Sequence, residues 1–100
     1  MYGLIGKINA VEGERDRLIE LLLEGSGSMP GCLSYLVARD PEDPAGIWVT
    51  EVWESQEDHR ASLELPQVTD TIARARPLIA GFSEQREIEP VGGHGLVGSS

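Results

Sequence analysis

The sequence predicts an α+β domain of the ferredoxin-like type, with element order β-α-β-β-α-β and one four-stranded antiparallel sheet. Three observations support this prediction. The chain has 100 residues, which is the size of a single domain. Helix-periodic leucines follow a first extended segment, and a second helical region follows a central hairpin. We therefore expect one sheet with its helices on one face.

The first strand and the first helix are indicated by their apolar spacing. Residues 2–9 predict the strand, in which Leu4, Ile5 and Ile8 supply apolar side chains to both faces. Residues 13–24 predict the helix, because leucines recur there at positions i, i+3 and i+4. The segment "GSGSMPG" ends this helix, since glycine and proline interrupt regular structure.

The hairpin is formed by residues 31–39 and 46–54, joined by the proline-containing loop "DPEDPAG". Its strands, "LSYLV" and "IWVTEVW", are apolar on both sides, whereas one layer of helices covers only one face of a sheet. We therefore expect a homodimer in which two sheets pack face to face. The interface is the face that the helices leave uncovered, carrying either Trp48, Thr50 and Val52 or Val49, Glu51 and Trp53.

The second helical region is predicted in two pieces. Ser55 suits the N-cap of a short helix that reaches about Leu65, with Asp58 in a capping-box position. Pro66 suits the first position of a further helix, which Pro77 limits near its end.

The last strand is predicted over residues 82–89, which alternate and are rather polar. The domain is thus expected to span residues 1–90. Residues 91–100, "VGGHGLVGSS", have the glycine content of a flexible tail.

The charge balance excludes several classes of partner. Eight basic residues against seventeen acidic ones give a net charge of −9, which repels nucleic acid and anionic membranes. No apolar run approaches the roughly 20 residues of a membrane span, and the N-terminus lacks the features of a signal peptide. With Cys32 as the single cysteine, a cytoplasmic protein is expected. The partner is then a small organic substrate or another protein surface.

No cofactor or metal site is expected from the motifs. The glycines of "GSGSMPG" have the wrong spacing for a dinucleotide-binding fingerprint, and they follow a helix rather than a strand. His59 and His94 are far apart in the sequence, so metal ligands are not clustered.

Three segments carry a resemblance to a known family: "GLIGKINAVEGERDRL", "MPGCLSYLVARDPEDPAGIWVTEVWES" and "HRASLELPQV". Over about residues 2–88 the chain resembles the antibiotic biosynthesis monooxygenase (ABM) domain family, dimeric α/β-barrel proteins that include quinol monooxygenases. The resemblance implies a homodimer and a cofactor-independent monooxygenase that uses O2 on a quinol or polyhydroxylated aromatic. The alternative is a non-catalytic dimeric α/β-barrel protein that binds a small hydrophobic ligand.

The chain departs from its relatives at two positions. Many relatives carry histidines where Ser62 and Gln67 stand here, and neither residue is a base near neutral pH. A haem-degrading branch shares an asparagine at the position of Asn9, but it also needs a helical tryptophan and a later histidine. This sequence has Ser62 at the tryptophan position and no histidine between His59 and His94, so haem ligation by an axial histidine is not expected.

Two residues are candidate catalytic groups. His59 lies three residues before Ser62 and is chemically suited to act as a base near pH 7; otherwise it is an exposed histidine in the first turn of a helix. Asn9 would donate to an oxyanion from the opposite wall of a pocket between helices and sheet, or it satisfies the turn before the first helix.

Four residues are candidate substrate contacts. Trp53 would stack on a ring or belong to the core, and Tyr35 would donate a hydrogen bond into the cavity or lie at the rim of the sheet. Gln67 and Ser62 would border the same space.

Glu51 is interpreted in two ways. It is either a buried carboxylate with a raised pKa or, as we prefer from the sequence, the partner of Arg86 or Lys7 across the sheet.

Overall fold

The computed structural model describes residues 1–96. Its sheet has the strand order β2-β3-β1-β4, and all neighbouring strands are antiparallel. The ferredoxin-like prediction is therefore confirmed, with the second helix divided as expected. The elements are β1 (Tyr2–Ala10), α1 (Arg15–Gly25), β2 (Cys32–Arg39), β3 (Gly46–Trp53), α2 (Gln56–Ser62), α3 (Pro66–Ala75), a 3₁₀ turn (Arg76–Leu78) and β4 (Ile79–Ile88).

The core lies between α1, α3 and one face of the sheet. Leu18 and Leu21 of α1 are fully buried against Ile47 and Val49 of β3. Burying each such side chain contributes about 1.5–3 kcal/mol of hydrophobic free energy. Strand residues alternate between the two faces, so the side of β3 that carries Val49, Glu51 and Trp53 faces the helices.

The opposite face of the sheet, the outer face, carries Trp48, Thr50 and Val52. In the strand register Leu36 lies beside Thr50, and its side chain is 59% exposed. The sequence did not determine which of the two faces of the sheet the helices cover. In the structure the helices leave the outer face uncovered.

The β2–β3 loop is tied to the outer face by Lys7. Its Nζ lies 3.1 Å from Asp40 Oδ2 and 3.0 Å from Asp43 Oδ2. The indole of Trp48 donates to Asp40 over 3.1 Å. Backbone donors and Lys7 hold the pKa of both aspartates below the usual value, and the aspartates raise the pKa of Lys7.

Beyond β4, residues 91–96 form neither helix nor strand. The rest of the predicted tail, residues 97–100, lies outside the described residues, so the flexible tail stays a prediction. Among residues 1–96, no helix is long and apolar enough to cross a membrane.

Candidate active site

A cleft of three adjacent cavities includes two that lie between the helices and the sheet and one that is lined by strand residues alone. The inner cavity has a volume of about 140 Å³ and is lined by residues that include Tyr35, Glu51, Trp53, His59 and Ser62. The sheet cavity, over β1 and β4, has a volume of about 380 Å³ and shares Tyr35 and Glu51 with the inner cavity. The mouth cavity, about 680 Å³, shares four lining residues with the inner one: Leu22, Leu63, Thr71 and Ile72.

The turn between β3 and α2 brings His59 over the end of the sheet. Ser55 has extended backbone and accepts a hydrogen bond from the backbone N–H of Asp58 over 3.1 Å, which confirms the predicted N-cap. Such a cap satisfies one of the free N–H groups of the first turn and fixes the direction of the helix. His59 follows one residue later and faces the last residues of β3.

Aromatic rings hold the imidazole of His59 in the inner cavity. The ring of Trp53 meets it edge-on at 5.4 Å between centroids, and the ring of Tyr2 lies at 5.7 Å. Only 20% of the His59 side chain is exposed. The interpretation of His59 as a solvent-exposed residue is therefore wrong, and the imidazole belongs to the cleft.

Glu51 is the carboxylate of the inner cavity, whereas the sheet cavity is lined by both Glu51 and Glu87, and Glu87 accepts a hydrogen bond from the Tyr2 hydroxyl over 2.7 Å. Glu51 Oε1 accepts a hydrogen bond from the indole N–H of Trp53 over 3.1 Å and lies 3.9 Å from His59 Nε2. Burial raises the pKa of Glu51, because an ionised carboxylate loses hydration there, although Trp53 and His59 act in the opposite direction.

The expected cross-strand pair of Glu51 is wrong. Lys7 points to the outer face and binds Asp40 and Asp43, as described above, while Arg86 Nε binds Glu84 over 3.2 Å. Side chains on opposite faces of a sheet cannot pair, and β1 alternation places Lys7 away from Glu51.

Tyr35 and Ser62 are two further polar residues that line the inner cavity. Burial raises the pKa of the Tyr35 phenol, and the nearby Glu51 and Cys32 raise it further. Ser62 is buried and donates its hydroxyl proton to the His59 carbonyl over 2.6 Å. The phenol is therefore available as a donor at neutral pH, whereas the proton of the Ser62 hydroxyl is already used within α2.

The structure does not bring Asn9 to the cleft. Ala10 is buried in the core, so Asn9 points to the outer face, where its amide donates to the Ser83 hydroxyl. Trp53 pairs with Tyr2, seven residues from Asn9 along β1, a separation of roughly 23 Å. The predicted position of Asn9 on the opposite wall of the pocket is wrong.

Gln67 is also outside the cavities. It is exposed in the first turn of α3, and its amide donates to the Gly27 carbonyl over 3.5 Å. The side chain of Gln67 faces the loop after α1, whereas Val68 of the same turn lines the inner cavity.

The sequence profile of the antibiotic biosynthesis monooxygenase family matches residues 1–74, which include every residue that lines the inner cavity. The chain belongs to this family. A comparison with curated protein sequences found no match.

Solved structures show the same family fold. A candidate antibiotic biosynthesis monooxygenase from Chloroflexus aurantiacus J-10-fl is 63% identical, with 95% of this chain and 97% of that chain covered and a TM-score of 0.94. One from Deinococcus radiodurans is 25% identical, covers 98% and 100% of the two chains and has a TM-score of 0.77. A third, from Caulobacter crescentus CB15, is 17% identical, covers 91% and 90%, and with a TM-score of 0.82 shows the fold alone.

Several residues of this ABM-family cleft were not predicted from the sequence. Most are apolar side chains of the helices and the α1–β2 loop, among them Leu22, Met29, Val68 and Ile72. The spacing of the helical residues among them is apolar on one side of the helix, but it does not indicate that this side borders a cavity. Tyr2 was also missed, although its pairing with Trp53 follows from aligning the ends of β1 and β3.

Proposed function

We propose that the protein is a cofactor-independent monooxygenase that uses O2 to oxidise a quinol or polyhydroxylated aromatic. Membership of the ABM family and the similarity to candidate monooxygenases support this proposal. The observation that carries it is the imidazole of His59, held by two aromatic rings beside Glu51 in a largely apolar cleft.

In this proposal His59 removes the proton of a substrate hydroxyl. The oxygen keeps the electron pair, and the resulting anion is electron-rich enough to give one electron to O2. The two radicals recombine with formation of a carbon–oxygen bond, and the resulting peroxide anion takes the proton back from His59. Its O–O bond then breaks as the same carbon loses its hydrogen, so that water leaves and one oxygen atom of O2 remains in the product. The substrate itself carries the redox chemistry, so the protein supplies a base, an orientation and a site that excludes water.

Tyr35 takes the role that the sequence suggested for Asn9. Because burial raises the pKa of its phenol, Tyr35 keeps its proton at neutral pH and donates a hydrogen bond to the developing oxyanion. The indole of Trp53 is only 1% exposed, so in this proposal it positions Glu51 and His59 beside the substrate, and Ser62 lines the same cavity.

Oxygen uptake after addition of quinols tests the proposal. We expect His59→Ala to lower turnover by roughly 10²–10⁴-fold, the usual contribution of general acid–base catalysis. His94→Ala is the matched control, because His94 is the other histidine of the chain and is exposed beyond β4. Full activity of His59→Ala would remove the histidine from the mechanism. No oxygen uptake by the wild-type protein with any quinol would favour the ligand-binding alternative.

We also propose that the protein is a homodimer that packs the outer faces of two sheets together. The support is the outer face itself, on which Leu36 is 59% exposed and Trp48 is half-buried, so that a second sheet would cover apolar surface that the helices do not. Sedimentation at micromolar concentration should give a dimer, and Leu36→Asp should give a monomer. Leu23→Asp is the control, because Leu23 is 54% exposed on α1 and lies on the helical side. A monomeric wild-type protein would contradict the proposal.

A further inference from the structure

Glu51 stands where two parts of the cleft meet. Its side chain lines both the inner cavity and the sheet cavity, so a ligand in either of them lies against the carboxylate. The side chain is 19% exposed. A ring that fills the inner cavity and carries a substituent into the sheet cavity must therefore pass this group.

No lysine or arginine of the described residues pairs with Glu51. The inner cavity is lined by no lysine or arginine among residues 1–96. Arg86 borders the sheet cavity, but its guanidinium binds Glu84. The separation of 3.9 Å from His59 Nε2 is longer than a hydrogen bond. No lysine or arginine therefore competes with a ligand for the oxygens of Glu51.

An ionised carboxylate accepts hydrogen bonds and donates none. Within residues 1–96, Glu51 accepts one hydrogen bond, from the Trp53 indole, which leaves lone pairs of both oxygens free. A ligand group that meets Glu51 is stabilised if it is a hydroxyl donor and is repelled if it is a carboxylate, a sulfonate or a phosphate.

We infer that Glu51 is a specificity-determining residue, which selects uncharged hydroxylated rings and excludes rings that bear an anionic substituent. The inference rests on the proposed function, from which it takes the class of aromatic ring. To that class it adds the requirement that the substrate carries no negative charge. An anionic group about 6 Å from Glu51 lowers affinity on the order of 10- to 100-fold at an effective dielectric constant of about 20.

Methyl gentisate and gentisate test this inference, because both are 2,5-dihydroxybenzenes and only gentisate is anionic at neutral pH. Their binding is measured by the fluorescence of Trp53 in a Trp48→Phe background, since the chain has two tryptophans. We expect the ester to bind about 10- to 100-fold more tightly than the acid. Glu51→Gln should reduce this preference to a few-fold, because glutamine keeps an acceptor for Trp53 and removes the charge.

The control variant is Glu20→Gln, which changes the net charge equally but lies exposed on α1 and should keep the full preference. A second measurement in wild-type protein at high ionic strength needs no variant at Glu51. Salt screens the surface charges, so a preference that persists arises in the cleft.

Each outcome distinguishes this inference from the proposed function. Equal binding of ester and acid, or a preference that Glu51→Gln leaves unchanged, would overturn the inference even if quinols are oxidised. Selective binding of the ester without oxygen uptake would support the inference and contradict the monooxygenase. Binding of neither compound up to its solubility limit would overturn the inference, whereas the proposed function would still be decided by oxygen uptake with other quinols.

Discussion

The contact between α1 and α3 at Gly25 sets the distance between these two helices beside the inner cavity. The substitution Gly25→Ala tests this close contact. Both Gly25 and Thr71 line the inner cavity. A β-carbon added at Gly25 would lie 2.8 Å from Thr71 Cβ and 2.9 Å from Thr71 Cγ2, and it would also clash with the hydroxyl. Carbon atoms in contact are separated by about 3.5–4.0 Å, so the two helices must move apart by roughly 0.6 Å or more.

The expected loss of stability follows from two opposing effects. Overpacking of this kind costs about 1–3 kcal/mol, whereas alanine in a helix is favoured over glycine by about 0.5–1 kcal/mol. We therefore expect Gly25→Ala to lower the free energy of unfolding by about 0.5–2 kcal/mol. For a domain of this size each kcal/mol corresponds to roughly 4–8 °C in Tm.

Urea unfolding followed by circular dichroism measures this loss. Gly27→Ala is the matched control, because a β-carbon there meets nothing within 4 Å, and its effect should stay within about 0.5 kcal/mol. In a Thr71→Ala background, Gly25→Ala should be less destabilising by about 0.5 kcal/mol or more, since the two residues are in contact. If Gly25→Ala and Gly27→Ala behave alike, the close approach of the helices is not as described.

Three further predictions concern stability. Because burial raises the pKa of Glu51, the ionised carboxylate destabilises the fold above that pKa. Glu51→Gln should therefore raise Tm at pH 7. The gain should shrink as the pH falls towards 4.5, the ordinary pKa of a glutamate. A gain that is equal at all pH values would contradict this. Lys7→Met should lower Tm at pH 7, but this loss should vanish at strongly acidic pH. The pKa values of Asp40 and Asp43 are depressed in the folded protein, so the two ionised carboxylates stop stabilising the fold only when the pH falls through those pKa values. An undiminished loss at low pH would contradict the ion pairs. Removing residues 93–100 should leave Tm nearly unchanged, since this glycine-rich segment is costly to order; a fall of more than a few degrees would mean that the tail packs on the domain.

The sequence was sufficient to predict the fold because its determinants are local. The leucine spacing of α1, the Ser55 cap and the proline-containing hairpin loop each act over a few residues. The face of the sheet that the helices cover was not predictable, because β3 is apolar on both sides. That choice depends on tertiary packing, in which Leu18 and Leu21 meet Ile47 and Val49.

The site was predicted in part for the same reason. His59, Trp53, Tyr35 and Ser62 come together because a short turn joins β3 to α2 and because Tyr35 lies beside Glu51 in the strand register. The predicted location of Asn9 in the pocket was wrong, because it was inferred only from the position of Asn9 near the end of a strand. The apolar neighbours Ile8 and Ala10 already favoured the opposite orientation by alternation.

Gln67 and Glu51 depended on long-range geometry. The direction of α3 after Pro66 decides what Gln67 meets, and no local signal in the sequence determines that direction. The sequence suggested Lys7 or Arg86 as the partner of Glu51. In the folded protein both cations bind other carboxylates, which the sequence alone does not indicate.

Incorporation of ¹⁸O from ¹⁸O2 tests the central claim most directly. Purified wild-type protein, incubated with a quinol under ¹⁸O2, should form a product that contains one labelled oxygen atom, as the proposed loss of water requires. The rate of labelling should fall roughly 10²–10⁴-fold in His59→Ala and should be unchanged in His94→Ala. A product without label, or labelling at the full rate in His59→Ala, would contradict the account.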